Sequence, residues 1–199
     1  MASSIAFFDF DGTITRSDTM FAFCKHTVGI VPYTLGMVRT SPWLAGFKMG
    51  ILTATQAKEK LLQTFFHGVK LETFNKYCND FFNEVIPHLL REDAMQEISY
   101  HKKNKNKVVV VSASAENWIR DFCDAEGIDL IATRLEVDTE ERITGKLLGI
   151  NCNYEEKVNR IKAAYNLSSY DKIYAYGDSD GDRAMLQIAT DSFYQRFTK

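Results

Sequence analysis

The sequence lacks an excess of basic charge, is poor in cysteine and has no long apolar run. Its 24 lysines and arginines are outnumbered by 26 aspartates and glutamates, so it offers no broad basic field and nucleic acid is excluded as a partner. The cysteines are far apart, with no Cys-x-x-Cys pair and no histidine at zinc spacing: Cys24, Cys78, Cys123 and Cys152. We expect them to be buried thiols.

Two further absences concern location. No cationic region followed by an apolar one precedes Phe7 and Phe8, so we expect neither a signal peptide nor a transit peptide and predict a cytoplasmic protein. The most apolar stretches, 28–38 and 42–52, have eleven residues each, too few to span a bilayer. With 199 residues, of which 45% are apolar, the chain can bury the core of a globular protein.

Apolar runs and helical patterns alternate along most of the chain. Runs with strand character lie at 4–10, 107–111, 130–132 and 173–176, and helical patterns at about 89–103, 115–126, 155–166 and 181–189. This alternation predicts an α/β fold, with a doubly wound parallel sheet covered by helices on both faces. The segment 135–146 is typical of a small hairpin.

Residues 16–87 do not follow this alternation. They contain no convincing strand, and their apolar residues recur at helical spacing. We predict a helical insert, called the cap below, that follows the first strand. The core domain would then consist of residues 1–15 and 88–199.

Polar and acidic residues follow the apolar runs. Asp9 and Asp11 come after the first run, Ser112 after the second, and Asp178 and Asp182 after the last. Because ligands of doubly wound sheets bind beyond the carboxyl ends of the strands, we expect these residues to meet at one rim. Carboxylates gathered there would repel one another without a hard cation, and Mg²⁺ prefers such oxygen ligands. The pattern predicts a magnesium site.

Ser112 and Lys157 fit a phosphoryl group bound at such a metal. The Ser112 hydroxyl could donate to a phosphate oxygen, and Lys157, in the first turn of a predicted helix, could neutralise phosphate charge. Each residue alone has an ordinary interpretation: Ser112 or Ser114 as a helix N-cap, and Lys157 as a solvated lysine. Asp182 alone would be an ordinary residue of a first helical turn. Their joint occurrence at strand ends and helix starts favours the functional interpretation.

These motifs resemble those of one enzyme superfamily. The four signature motifs of the haloacid dehalogenase (HAD) phosphatases are similar to Asp9-Phe10-Asp11-Gly12-Thr13, the apolar run ending at Ser112, Lys157, and Gly177-Asp178-Ser179-Asp180-Gly181-Asp182. The stretches 110–115, 132–137, 144–147 and 175–179 resemble subfamily IB, which includes phosphoserine phosphatase-like enzymes and some lipid-phosphate phosphatases. The resemblance implies a Rossmann-like HAD core with an inserted helical cap of the C1 type.

The resemblance also implies a hydrolytic mechanism. Asp9 would attack phosphorus to form an aspartyl-phosphate, which water then hydrolyses. Asp11 would protonate the leaving alkoxide and later deprotonate the water. Since Asp11 must be neutral in the first step, its side chain is expected to avoid the metal.

Further roles follow from the same resemblance. The Mg²⁺ ligands would be a side-chain oxygen of Asp9, the backbone carbonyl of Asp11, and Asp178. Asp182 would orient a ligand or a metal-bound water. The phosphate would be bound by Ser112, Lys157 and backbone N–H groups near Phe10, Asp11 and Ala113.

The substrate is less well determined. Phosphoserine phosphatases place an acid nine residues after the nucleophile, against the substrate ammonium, and here that residue is Asp18. They also place an arginine on a cap helix for the substrate carboxylate, but that register gives Leu62, with only Lys58 and Lys60 nearby. We therefore expect a small phosphorylated metabolite, with phosphoserine itself disfavoured.

Two alternatives stay open. A lipid phosphate of the phosphatidylglycerophosphate type could use the apolar cap, which could also touch a membrane, through Phe21, Phe23, Tyr33, Trp43 and Phe47 with Lys25, Arg39 and Lys48 among them. The simpler interpretation is that these aromatic residues pack the cap helices together. The other alternative is a phospho-aspartate receiver, a switch rather than an enzyme. The acid at Asp11 and the helical insert argue against it.

Overall fold

A computed structural model describes residues 4–197, in which six helices follow the first strand and strands and helices are interspersed after them. The strands are Ser4–Phe8 (β1), Lys107–Ala115 (β2), Asp129–Thr133 (β3), Leu135–Val137 (β4), Ile143–Leu147 (β5), Lys172–Gly177 (β6) and Asp191–Tyr194 (β7). The helices are Thr19–Val28 (α1), Ile30–Lys48 (α2), Ala54–Phe66 (α3), Leu71–Glu84 (α4), Ile86–Leu89 (α5), Glu92–Lys103 (α6), Glu116–Glu126 (α7), Glu155–Ala164 (α8) and Arg183–Gln187 (α9).

Five of these strands make one parallel sheet in the order β3-β2-β1-β6-β7. The remaining two, β4 and β5, pair as an antiparallel hairpin. The predicted α/β fold with a parallel sheet is confirmed. The sequence did not predict β7, because this edge strand alternates half-buried and exposed residues and so lacks the continuous apolar run of a central strand.

The central strand β1 is buried on both faces. Ile5 and Phe7 face a core that includes Ile161 of α8 and Met185 of α9. Phe8, on the opposite face, belongs to a second core that continues into the cap helices. Strands covered on both sides read as unbroken apolar sequence, which is why the start of the chain was recognisable as a strand.

The segment 16–87, predicted as a cap, contains helices α1 to α4. Phe23 of α1 lies at the centre of this segment and is fully buried. The ring centroids of Phe66, Phe74 and Phe81 lie within 5.4 Å of its own ring centroid. It also stacks on Trp118 of α7 at 5.0 Å, which attaches the cap to the core. Within residues 4–197, no helix combines the length and apolar character needed to cross a membrane. The division into two domains stays a prediction.

We expect Phe23→Ala to lower the free energy of unfolding by about 3–5 kcal/mol, because it leaves a cavity among four aromatic rings. Urea denaturation measures this. Leu35→Ala is the matched control in the same cap, since Leu35 is 67% exposed, and we expect a change within about 0.5 kcal/mol. A loss below about 1 kcal/mol for Phe23→Ala would contradict the packing described.

Candidate active site

The loop after β1 brings the first and last acidic motifs into contact. The Asp9 N–H donates to the carbonyl of Tyr176 in β6 at 2.9 Å, and the chain then makes a single wide turn from Phe10 to Ile14. Gly12 in this turn has φ +84°, and a Cβ atom there would lie 2.3 Å from the Asp178 carboxylate. Only glycine fits both the backbone conformation and the space.

Lys157 lies at the centre of the rim and is fully buried. Its Nζ donates to Asp9 Oδ1 at 2.6 Å, to Asp182 Oδ1 at 2.6 Å and to the Val111 carbonyl at 2.7 Å. Burial disfavours the charged ammonium, but the charges of Asp9 and Asp182 more than offset this and raise the pKa of Lys157. The lysine is therefore a buried, permanently charged part of the site rather than a solvated side chain.

Three carboxylates meet beside this ammonium. Oxygens of Asp9, Asp178 and Asp182 lie within 4.8 Å of one another. Burial raises the pKa of Asp9 and of Asp178, with Asp182 adding repulsion in both cases. Burial would also raise the pKa of Asp182, but the charge and hydrogen bond of Lys157 lower it overall. One lysine thus leaves charge repulsion uncompensated, and an all-oxygen set of this kind fits a hard divalent cation.

Asp11 does not belong to this cluster of three carboxylates. Its Oδ1 accepts hydrogen bonds from the backbone N–H and the hydroxyl of Thr19, both at 2.6 Å. The Thr19 hydroxyl in turn accepts a hydrogen bond from Trp118 Nε1 at 3.1 Å. Sequence reasoning missed Thr19. A signal was present, because Thr19 is the first residue of α1 and the first N–H groups of a helix have no partner within it.

Ser112 lies near the end of β2 and is fully buried. Its Oγ accepts a hydrogen bond from the Ser114 N–H at 3.0 Å and lies 3.5 Å from Asp11 Oδ2. It is therefore not a helix N-cap. Ser112 is not among the residues that line the pocket described next. Ala113 lines it, and the Ala113 carbonyl accepts a hydrogen bond from Lys58 Nζ at 2.8 Å.

These side chains surround a pocket of about 340 Å³ between the sheet rim and the cap. Five aspartates and two lysines line it, a formal charge of −3 with all groups ionised: Asp9, Asp11, Asp18, Asp178, Asp182, Lys58 and Lys157. An anionic phosphate would be repelled by such a pocket on its own. Bound divalent charge would remove that repulsion.

The cap contributes Asp18 and Lys58 to the pocket. Asp18 caps α1 by accepting a hydrogen bond from the Met20 N–H, and burial with repulsion from Asp11 raises its pKa to about 6. Lys58 of α3 reaches the core, where it also donates to Asn151 Oδ1 at 2.9 Å, and burial lowers its pKa. The resemblance to phosphoserine phosphatases placed Leu62 where those enzymes have the arginine that binds the substrate carboxylate. Leu62 is fully buried, so this position faces the core.

Asn153 is a second residue that sequence reasoning missed. It lines the pocket, and its side-chain oxygen would lie 2.1 Å from a Cβ atom placed on Gly181. The glycine of the fourth motif therefore leaves room for an amide from the loop before α8. Nothing in the sequence marked this pair, because the two residues meet only in the folded chain.

Residues 6–187 match the sequence profile of the haloacid dehalogenase-like hydrolases. The chain belongs to this family. It is 32% identical to Protein CicA of Caulobacter vibrioides over 191 residues, covering 96% of this chain and 85% of that protein.

A further relative and a solved structure of similar fold are phosphatases. The histidinol-phosphatase of Neisseria meningitidis is 25% identical, with 94% of this chain and 88% of that one covered. A substrate-bound structure of phosphoserine phosphatase superposes with a TM-score of 0.70 at 18% identity, covering 98% and 86% of the two chains. The prediction of a HAD phosphatase resembling phosphoserine phosphatase is confirmed, while the substrate is not determined by these matches.

We expect Lys157→Met to lower the free energy of unfolding by about 3–5 kcal/mol at neutral pH in metal-free buffer, because Asp9 and Asp182 would be left buried without a counter-ion. Urea denaturation measures it. Lys172→Met is the control: its exposed ammonium lies 3.9 Å from Asp191, and we expect a change within about 0.5 kcal/mol. An equal loss of unfolding free energy in the two variants would contradict the role of Lys157 as the buried counter-ion of Asp9 and Asp182.

Proposed function

We propose that this HAD hydrolase is a Mg²⁺-dependent phosphomonoesterase that acts on a small phosphorylated metabolite through an aspartyl-phosphate. The observation that carries the proposal is the cluster of Asp9, Asp178 and Asp182 around the Lys157 ammonium at the rim of the sheet. Phosphoryl transfer needs positioning and charge neutralisation, and this cluster would supply both at one point once it holds a divalent cation.

In the first step, an oxygen of Asp9 bonds to phosphorus as the bond from phosphorus to the substrate oxygen breaks. Asp11 gives its proton to the departing alkoxide. In the second step, Asp11 takes a proton from water, the water oxygen bonds to phosphorus, and the bond from phosphorus to Asp9 breaks. Free phosphate leaves, and both carboxyl groups return to their starting states.

The surrounding residues position these groups. Lys157 fixes one Asp9 oxygen and keeps a positive charge beside the transferred phosphoryl group. Thr19 turns the Asp11 carboxyl away from the metal cluster, as its role as acid and base requires. Ser112 and the Ala113 N–H would bind phosphate oxygens.

Asp9, the Asp11 backbone carbonyl and Asp178 would hold the Mg²⁺, with Asp182 orienting one of these ligands or a metal-bound water. When bound, the metal would neutralise charge on the phosphoryl oxygens. Asp18 and Lys58 line the pocket from the cap, an anion and a cation suited to the polar leaving group of a metabolite. A cytoplasmic location stays a prediction from the sequence.

The test uses p-nitrophenyl phosphate with Mg²⁺. Asp9→Asn removes the nucleophile, and we expect turnover to fall at least about 10⁴-fold. Asp11→Asn removes the acid and base, and we expect a fall of about 10²–10⁴-fold. Because p-nitrophenolate leaves without a proton, this second variant is expected to accumulate phosphorylated enzyme, visible as an added phosphoryl group by intact-protein mass spectrometry.

Asp180→Asn is the matched control on the same loop as Asp178. Asp180 is exposed and paired with Arg183, so wild-type turnover is expected. Retained turnover in Asp9→Asn would overturn the mechanism. A single stoichiometric burst from the wild-type protein, without further release of phosphate, would instead favour the phospho-aspartate receiver.

A second candidate substrate class, a lipid phosphate, is favoured by an apolar cavity of about 520 Å³ in the cap. It shares Asp18, Met20 and Lys58 with the catalytic pocket, and its other lining residues are mainly apolar: Phe21, Met37, Leu44, Phe47, Lys48, Ala54 and Ala57. A leaving group with a hydrocarbon part could extend from one pocket into the other. Of the remaining aromatic residues predicted here, Phe23 packs the cap core, Tyr33 stacks on Phe65, and Trp43 lies beneath the Lys60 ammonium.

Alkyl phosphates of increasing length distinguish the two classes. If the apolar cavity binds the leaving group, we expect kcat/KM to rise by up to about fourfold per methylene, since each buried methylene contributes about 0.8 kcal/mol. Leu44→Gln is expected to flatten this dependence, and Leu148→Gln, at an exposed leucine outside the cavity, to preserve it. If kcat/KM of the wild-type protein does not change with alkyl length, the small polar metabolite remains the proposed substrate class.

A further inference from the structure

The outward face of α2 is apolar along its whole length. At 100° per residue, six positions fall within an arc of about 80° on this helix. All six are exposed and none is polar: Val31, Leu35, Val38, Pro42, Ala45 and Met49 at the helix end. We call these residues the α2 outer face. It is about 27 Å long at 1.5 Å per residue.

The opposite side of α2 is already covered by the protein. Gly36 and Thr40 are buried there, and Phe65 of α3 lies so close to Gly36 that a Cβ atom would meet its ring at 2.3 Å. A helix that is apolar on opposite sides is normally buried on all of them. Within residues 4–197, no element of the chain covers the α2 outer face.

The exposure of this face is extensive for a water-facing helix. Val38 is 68% exposed and Met49 is 72% exposed. Ile30 before the face and Ile51 after it are also mostly exposed, so large apolar side chains continue beyond both ends. A contiguous apolar surface of this kind usually marks a site of interaction with a protein or a membrane.

The charges around the face identify its partner. From residue 19 to residue 58 the chain contains no aspartate or glutamate, although it has 26 of them in all. The same forty residues contain four basic residues: Lys25, Arg39, Lys48 and Lys58. Arg39 and Lys48 are exposed on the two flanks of the α2 outer face, and Lys25 is exposed on α1. An apolar stripe bordered by cations is complementary to anionic lipid headgroups above a hydrocarbon interior.

A second copy of the chain fits this charge pattern poorly. A symmetric dimer through the α2 outer face would bring the same patch of each subunit together, with Arg39 and Lys48 facing cations and no acid on either flank. An anionic membrane can bury the apolar residues of the face and pair its headgroups with the flanking cations at the same time.

We propose that α2 lies in the plane of an anionic lipid membrane, with its outer face inserted at the boundary between headgroups and acyl chains. The helix attaches to the surface and does not cross it. Lys48 flanks the α2 outer face and also lines the apolar cavity, so the cavity lies next to that flank of the helix. This inference concerns attachment and does not depend on the proposed reaction.

The test is co-sedimentation of the full chain with vesicles of phosphatidylcholine alone or with added phosphatidylglycerol. We expect binding to the phosphatidylglycerol vesicles that weakens as salt increases. Leu35→Glu combined with Val38→Glu places two charges on the α2 outer face, and we expect its partition coefficient to fall at least about tenfold. Turnover of p-nitrophenyl phosphate and the circular dichroism spectrum are expected to match the wild type, because both residues are exposed and neither lines the catalytic pocket or the apolar cavity.

Ser99→Glu combined with Tyr100→Glu is the matched control. It adds the same charge at exposed positions of α6, in the predicted core domain, and is expected to bind vesicles as the wild type does. Wild-type protein that stays in the supernatant with both vesicle types would overturn the proposal. An equal loss of binding in both double variants would also overturn it, because net charge alone would then explain the effect. A wild-type dimer that Leu35→Glu/Val38→Glu dissociates, without vesicle binding, would assign the face to a second copy.

Discussion

The buried ammonium of Lys157 is the interaction on which the rest of the site depends. It joins the ends of three neighbouring strands, since Asp9 follows β1, Val111 lies in β2 and Asp182 follows β6. The order β2-β1-β6 places these ends side by side, so residues far apart in the chain converge without long loops. Each hydrogen bond is made where water is excluded, and its strength comes from opposite charges held in a medium of low dielectric constant.

The Lys157 ammonium neutralises only part of the negative charge at the rim. Within residues 4–197, Asp178 and the second oxygen of Asp9 are left without a cationic partner, and burial, with added repulsion from Asp182, raises the pKa of both carboxyl groups. A protein selected only for stability would not gather these carboxylates, because an apolar rim would be at least as stable. The surplus negative charge therefore supports the proposal that a metal and the phosphoryl group bind at this rim.

Much of the core and its chemistry could be predicted from sequence, because β1, β2 and β6 are continuous apolar runs with their functional residues directly after them. The edge strand β7 could not, since its side chains alternate in burial. Thr19 and Asn153 were missed for another reason: their partners, Asp11 and Gly181, are identified only when separate segments of the chain meet. The cap was predicted as helical, yet sequence showed two apolar stretches where the structure has the single helix α2 with Pro42 inside it.

The hydrogen bonds of Thr19 have a mechanical consequence. Thr19 begins the first helix of the cap, and Asp11, the proposed acid and base, accepts both of its short hydrogen bonds from Thr19. If α1 swings outward to admit a substrate, Asp11 loses its alignment in the same movement, and it regains that alignment only when the helix settles against Trp118 again. In the proposed mechanism this would link opening to proton transfer, so that the aspartyl-phosphate would meet its activated water only when α1 lies against the core.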